Sequence, residues 1–247
     1  MIVCKSPREI AVMRQAGAIL ATIFEKLQEV IAVGISTKQL DDLAAEIIAS
    51  QQAKAAFLGY RGFPANICTS INEELIHGIP SQRRLKEGDI ISVDLGVVYK
   101  GYFSDAARSY GVGKVSAEAT KLMEVTQESF YRGLQYAKAG EHLGSLCWAI
   151  GDYIGQHGYK VPQQYSGHGI GTALHEDPNI PNYGLKDSGI VLKAGMTLAI
   201  EPMVMMGVGE TKTLADDWTV VTVDKALCAH YENTIVITEN GYEILTI

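Results

Sequence analysis

The 247-residue chain repeats itself once, and that duplication restricts its fold more than any single motif. RLKEGDIISVD at 84–94 and VLKAGMTLAIE at 191–201 share Leu-Lys-x-Gly, a short β-prone apolar run and then a carboxylate at the same step. Asp94 therefore corresponds to Glu201, 107 positions later. The helical grammar recurs with nearly the same offset. Ser6, Pro7 and Glu9 make a capping box with proline at the first helical position, which predicts a helix to about Ile31. Beyond Gly34, Ser36 caps a second helix with Leu40, Leu43, Ala44, Ile47 and Ile48 at helical spacing. Ser116 then introduces a third periodic segment to about Lys138, and after Gly140 the stretch HLGSLCWAIGDYIGQ gives a fourth. Gly34 and Gly140 stand 106 positions apart, so two independent features predict one duplicated unit of two helices followed by strands.

The β signals complete each unit. Residues 90–110 read as a hairpin turning near Lys100-Gly101, and 218–247 give WTVVTV, a DKAL turn, ENTIVIT and YEILTI. Two halves, about 6–110 and 116–246, are expected to join into one curved antiparallel sheet with helices on its outer face. No Pro/Gly/Ser-rich linker divides them, which predicts a single α+β domain over 1–247.

Charge and composition remove several classes of partner. A net charge of −7 and a pI near 5.4 leave no electrostatic footprint for nucleic acid or an anionic membrane. Cys4, Cys68, Cys147 and Cys228 are scattered without C-x-x-C spacing, as expected of reduced thiols in a cytoplasm rather than of a disulfide framework or zinc knuckle. The start MIVCKSPREIAVMR has no apolar targeting region, and no run of 18 apolar residues occurs, so neither export nor membrane anchoring is expected.

Against this bland background, acids occupy strand positions. Asp94 follows IISV and Glu201 follows TLAI, each expected at or near a strand end. Asp105 lies 11 residues beyond Asp94 across the Lys100-Gly101 turn, and Glu232 opens a β-branched strand. Buried carboxylates require pairing, hydrogen bonds or metal, and few arginines lie nearby in sequence. Four carboxylates with a histidine as fifth ligand suit a pair of divalent ions. Oxygen-rich ligation with one imidazole selects Mn, Fe, Co or Zn over a thiolate-preferring metal.

The stretch YSGHGIGTALHE at 165–176 carries two histidines, His168 and His175, among three glycines. It does not fit the zinc-protease helix HExxH, and Thr172 stands where G-x-G-x-x-G needs its last glycine. The glycines predict a non-helical backbone that lets something approach closely. Taken alone, the pair reads as structural rather than catalytic.

The ordered set Asp94, Asp105, His168, Glu201 and Glu232 resembles the dinuclear metal site of the type I, bacterial methionine aminopeptidases. INEELIHGIP around His77, GHGIGTALHEDP, IEPMV and YENTIVIT are similar to phrases of that family along essentially the whole chain. The resemblance implies the family's pseudo-twofold pita-bread fold and two divalent ions that make water nucleophilic near neutral pH. It implies that Asp94 and Asp105 bind one ion, that Asp105 and Glu232 bridge, and that His168 and Glu201 complete the second position. Glu201 would also shuttle a proton to the leaving amine, while His77 and His175 would face the substrate without binding metal. Tyr60, Phe63, Cys68 and Trp218 match positions around the family's methionine pocket. Phe57 and Leu174 depart from the Cys and Phe often found in bacterial relatives. NEEL and Cys228 fall where some relatives hold a monovalent cation, and a cysteine there leaves that ion open.

The implied activity is removal of initiator methionine ahead of a small second residue, in the cytoplasm, by a monomer associating transiently with the ribosome. Two readings compete with it. A Xaa-Pro peptidase of the same fold is expected to carry an additional N-terminal domain, whereas here the catalytic unit starts almost at residue 1. A non-catalytic binding relative is expected to have lost metal ligands, and all five are present.

Overall fold

Helix starts follow the local chemistry of the caps. In this computed structural model, which describes residues 2–247, Ser6 and Ser36 accept from the backbone N–H three residues on, and Glu9 and Gln39 reach back to the cap. Helices α1 (Pro7–Val30) and α2 (Thr37–Ser50) result, followed by α3 (Ala117–Leu134) and α4 (Leu143–Gln156). Helix α3 ends at Leu134 rather than near Lys138. The next turn tightens, with Gln135, Tyr136 and Ala137 N–H donating to carbonyls three residues back, before Ala139 and Gly140 N–H turn to the carbonyls of Thr238 and Leu192.

The strands are β1 (Lys54–Ala55), β2 (Cys68–Ile71), β3 (Glu74–Ile76), β4 (Ile90–Tyr99), β5 (Tyr102–Gly111), β6 (Gly167–Gly169) and β7 (Glu176–Ile180). They continue with β8 (Thr197–Ile200), β9 (Met203–Met205), β10 (Thr211–Thr213), β11 (Val220–Thr222), β12 (Cys228–His230), β13 (Glu232–Ile237) and β14 (Tyr242–Ile244). The main antiparallel sheet runs β1-β4-β5-β13-β8-β6-β7, with β2 also on β4 and β14 on β13. The β4–β5 hairpin turns through Lys100 and Gly101, both at positive φ, as a tight two-residue turn between twisted strands requires. The two sequence halves meet where β5 pairs with β13. Arg108 spans that joint, donating to the carbonyls of Ala107, Glu232 and Thr246 and to Asn233 Oδ1.

Alternation along the strands sorts side chains onto two faces. On the outer face, Ile91, Val93, Leu95 and Val97 of β4 pack with Leu20, Ile23 and Leu27 of α1 and Leu40 and Ala44 of α2. Leu198 and Ile200 of β8 and Ile235 and Ile237 of β13 pack with Leu122 and Phe130 of α3 and Leu146 and Ile150 of α4. Each such buried side chain contributes about 1.5–3 kcal/mol. The helices thus hold the sheet from behind and leave its inner face to other residues.

Helix α1 also runs close to the C-terminal strand. A Cβ added at Gly17 would lie 1.7 Å from the Leu245 carbonyl oxygen, whereas one at Gly155 in α4 meets nothing within 4 Å. Gly17→Ala is expected to destabilise by about 1–3 kcal/mol or more, and Gly155→Ala to stabilise by about 0.5–1 kcal/mol. Urea unfolding of the two variants checks the opposite signs.

Candidate metal centre

The strand register brings the predicted ligands to one face. Asp94 pairs with Ala107, and Gly96 with Asp105, so Asp94 and Asp105 are diagonal neighbours on the same side of the β4–β5 hairpin. Ala107 pairs in turn with Glu232 across the central joint. Asn233 pairs with Ile200 on β8, which sets Glu201 beside Glu232 one step further, and His168 pairs with Ala199. Asp94 is an interior residue of β4 rather than the end of a strand, because β4 continues to Tyr99 as the partner of β5. Glu201 does follow the last residue of β8.

These groups converge without a basic side chain. Among the described residues no lysine or arginine makes an ion pair with Asp94, Asp105, Glu201 or Glu232; the cationic-type partners within 4.0 Å are His168 and His230. Asp94 Oδ1, Asp105 Oδ1 and Glu232 Oε1 are buried with no hydrogen-bond partner among the described residues. Burial and then the neighbouring Asp105 push Asp94 well above the usual carboxylate range, and burial lifts Asp105 to about 7. Glu201 and Glu232 are likewise raised well above it, first by burial and then by the surrounding carboxylates.

His168 supplies the decisive detail. Its Nδ1 lies 2.9 Å from the Gly169 carbonyl oxygen, which can only accept, so Nδ1 carries the proton. The lone pair of Nε2 therefore faces Glu201 Oε1 at 3.6 Å and Asp105 Oδ2 at 3.9 Å. Three acceptors turned toward one another make sense around a cation, and a backbone carbonyl fixing the far ring nitrogen is the support that metal-bound imidazoles receive. Burial lowers the His168 pKa to about 4, which keeps the ring neutral. Donor atoms of Asp105, His168 and Glu232 all lie within 4.8 Å of one another. The donor set thus fits oxygen-rich divalent metal with one imidazole.

All eleven residues singled out in the sequence line one cavity of about 160 Å³: Tyr60, Phe63, Cys68, His77, Asp94, Asp105, His168, His175, Glu201, Trp218 and Glu232. Phe57, Arg61 and Leu174 complete it. Cys68 pairs with Asp94, which puts the thiol on the carboxylate side of the sheet. Phe63 stands edge-on to Trp218 at 5.0 Å, and Trp218 edge-on to His77 at 6.2 Å between ring centres. His77 holds a positive φ of 60°, a strained conformation for a side-chain-bearing residue. Burial lowers its pKa to about 4. His175 lies 4.2 Å from the His168 ring and is hydrogen-bonded through Nδ1 to Tyr60 Oη at 2.8 Å.

The glycines beside these histidines serve close packing. Added Cβ atoms would meet the Ala199 carbonyl oxygen at 2.4 Å from Gly167, the Asp177 carbonyl oxygen at 2.0 Å from Gly169, and Lys5 Cε at 2.2 Å from Gly171. None of the three has positive φ, so space rather than backbone freedom requires glycine. The loop that delivers His175 is held by Glu176, which accepts from the N–H groups of Thr172 and Ala173 and from Lys5 Nζ.

One residue escaped the sequence reading. His230 is 1% exposed, and its Nε2 lies 3.5 Å from Glu201 Oε2 and 3.9 Å from Glu232 Oε2. The signal was available as alternation: His230 precedes Glu232 by two positions in AHYENT. Its neighbour Cys228 donates through both N–H and Sγ to the Asn72 carbonyl, the type of oxygen that a monovalent cation would need there.

The model of metallopeptidase family M24 matches residues 11–239. The chain is 54% identical to methionine aminopeptidase 1 of Bacillus subtilis, over 100% of this chain and 99% of that protein. The solved methionine aminopeptidase of Thermotoga maritima superposes with a TM-score of 0.98 at 44% identity, covering 100% of this chain and 99% of that one. Prolidase from Pyrococcus furiosus superposes less closely, with a TM-score of 0.78 at 25% identity, covering 99% of this chain and 65% of that one.

The raised carboxylates fix how the metal-free protein responds to pH. Acids whose folded pKa exceeds the unfolded value contribute stability that is lost as pH rises through the folded pKa, here about 7 for Asp105. The buried histidines, with folded pKa below 6.5, act in the opposite direction only below that pH. Between roughly pH 6.5 and 8.5 the carboxylates act alone. Chelator-treated protein is therefore expected to lose thermal stability as pH rises across that window, and metal-loaded protein to keep it, as read by calorimetry.

Proposed function

The chain belongs to metallopeptidase family M24, and from that premise we infer that it removes the N-terminal methionine from proteins and peptides by metal-dependent hydrolysis. Its curved antiparallel sheet with helices on the outer face is the pita-bread fold of this family. The observation that carries the reading is the convergence of ligand-type and pocket residues from both halves on one cavity, in a chain aligned end to end with methionine aminopeptidases. We read the halves, about 6–110 and 116–246, as two copies of one unit within a single domain.

In this reading the centre takes two divalent ions, of Mn, Fe, Co or Zn, with Asp94 and Asp105 holding one, Asp105 and Glu232 bridging, and His168 and Glu201 completing the other. Bound ions supply Lewis acidity, which polarises the scissile carbonyl and makes water acidic enough to attack near neutral pH. Glu201, placed beside the centre, would receive a proton from the attacking water and pass it to the leaving amine. With Nδ1 engaged by the Tyr60 hydroxyl, His175 would present Nε2 to the peptide. His77 is held neutral by burial and offers a second positioning imidazole. Phe63, Trp218, Tyr60 and Cys68, with Phe57 and Leu174, surround the methionine side chain, whose thioether suits aromatic and thiol neighbours. A cavity of about 160 Å³ admits one slim side chain, and a small second residue follows it.

The Xaa-Pro alternative is not favoured, since identity falls from 54% with a methionine aminopeptidase to 25% with a prolidase. A non-catalytic role is disfavoured by the retention of all five ligand residues. Among the described residues no helix is long and apolar enough to cross a membrane. We place the protein in the cytoplasm as a monomer that meets its substrates as they leave the ribosome. We assign no monovalent cation, because the Cys228 thiol engages the Asn72 carbonyl.

Metal-loaded protein is expected to release methionine from Met-Ala-Ser and to leave Xaa-Pro peptides essentially intact. Cleavage of Xaa-Pro alone, followed by chromatography, reverses the assignment. His175→Ala is expected to keep both ions and lose roughly 100-fold or more in kcat. His168→Ala is expected to lower metal affinity or stoichiometry in calorimetry. Equal metal loss in the two variants contradicts the division of roles.

A further inference from the structure

The centre contains a second imidazole that the five-ligand scheme does not use. His230 lies on β12, which pairs with β9 so that His230 is opposite Met203. This is the same register that places Asn233 opposite Ile200, so β12 and β9 extend the β13–β8 ladder past the break at Glu201 and Pro202. His230 therefore follows Glu232 in alternation onto the ligand face. Its backbone is anchored on both sides by Ser109, whose Oγ donates to the His230 carbonyl at 2.9 Å and accepts from its N–H at 3.0 Å.

The side chain has no such partners. Both ring nitrogens are buried and without a hydrogen-bond partner among the described residues. An imidazole in that state is destabilising unless something satisfies it. Glu201 lies between two imidazoles, with Oε1 3.6 Å from His168 Nε2 and Oε2 3.5 Å from His230 Nε2. Donor atoms of Glu201, His230 and Glu232 all fall within 4.8 Å of one another. Two donors about 2.1 Å from one tetrahedral ion stand about 3.4 Å apart, so the spacing is that of ligands sharing a cation.

Resting on the metallopeptidase reading above, we propose that His230 is a second imidazole ligand of the metal centre, binding a divalent ion through Nε2 together with Glu201 Oε2 and Glu232 Oε2. Glu201 then stands between two imidazole donors, Oε1 toward His168 and Oε2 toward His230. The added nitrogen donor makes this centre more receptive to Co, Zn and Fe than five-ligand oxygen-rich ligation alone.

Proton NMR of the full chain loaded with Co²⁺ tests the assignment without reference to turnover. A histidine bound to high-spin Co²⁺ through Nε2 retains its Nδ1 proton, which gives a solvent-exchangeable resonance far downfield. Two such resonances are expected in the wild-type protein, from His168 and His230, and one in each of His230→Gln and His168→Gln. A single resonance in wild type, or two that both persist in His230→Gln, overturns the proposal. The wild-type count decides even if a variant folds poorly. Failure of the peptidase reading is scored separately, by Met-Ala-Ser hydrolysis of the wild-type protein.

Discussion

Asp94, Asp105, Glu201 and Glu232 share one face of one sheet, and their mutual repulsion is the constraint on which the rest of the molecule depends. Two like charges about 4 Å apart repel by about 4 kcal/mol at an effective dielectric near 20; Asp105 and Glu232 are buried, Asp94 and Glu201 largely so, and none has a lysine or arginine paired to it among the described residues. Protonation or cations can relieve that repulsion. The raised carboxylate pKa values express the first route, and the lone pair of His168 turned into the cluster points to the second. The same feature that weakens the bare protein at neutral pH is what makes it a metal receptor.

Holding such a cluster requires a rigid support, and the opposite face of the sheet supplies it. Two apolar layers, one under each helix pair, fix β4, β5, β8 and β13 from behind. Arg108 ties the central joint through backbone carbonyls and Asn233 and, among the described residues, makes no ion pair with the carboxylates. Each of the four carboxylates then comes from, or directly adjoins, one of those four strands. Precision at the centre follows from register, because pairing by residue leaves each acid no freedom to slide.

The histidines divide by what surrounds them. His168 is held by its neighbour's carbonyl and faces carboxylates, whereas His175 rises from an exposed loop, stacks on Tyr60 and lies tilted against the His168 ring. His77 stands edge-on to Trp218 in the same cavity. The glycines between His168 and His175 let strands and the Lys5 side chain pass within distances that any Cβ would block. Two histidines with different surroundings thereby lie seven residues apart in one short stretch.

Much of this was legible along the chain because its signals are local or periodic. Caps at Ser6, Ser36 and Ser116 mark helix starts, and the Lys100-Gly101 turn marks the hairpin. Other features were not legible. The end of α3 depends on hydrogen bonds to Thr238 and Leu192, distant in sequence, and the interior position of Asp94 depends on how far β4 and β5 zip together. His230 looked ordinary in sequence because its neighbours Glu201 and Glu232 become its neighbours only when β12 and β9 prolong the ladder. The sequence by itself determined which residues could ligate and which elements carry them, since residue type and periodicity are written in the chain. Tertiary structure alone decided which of them face one another, because strand register converts separations of more than a hundred residues into distances of a few ångströms.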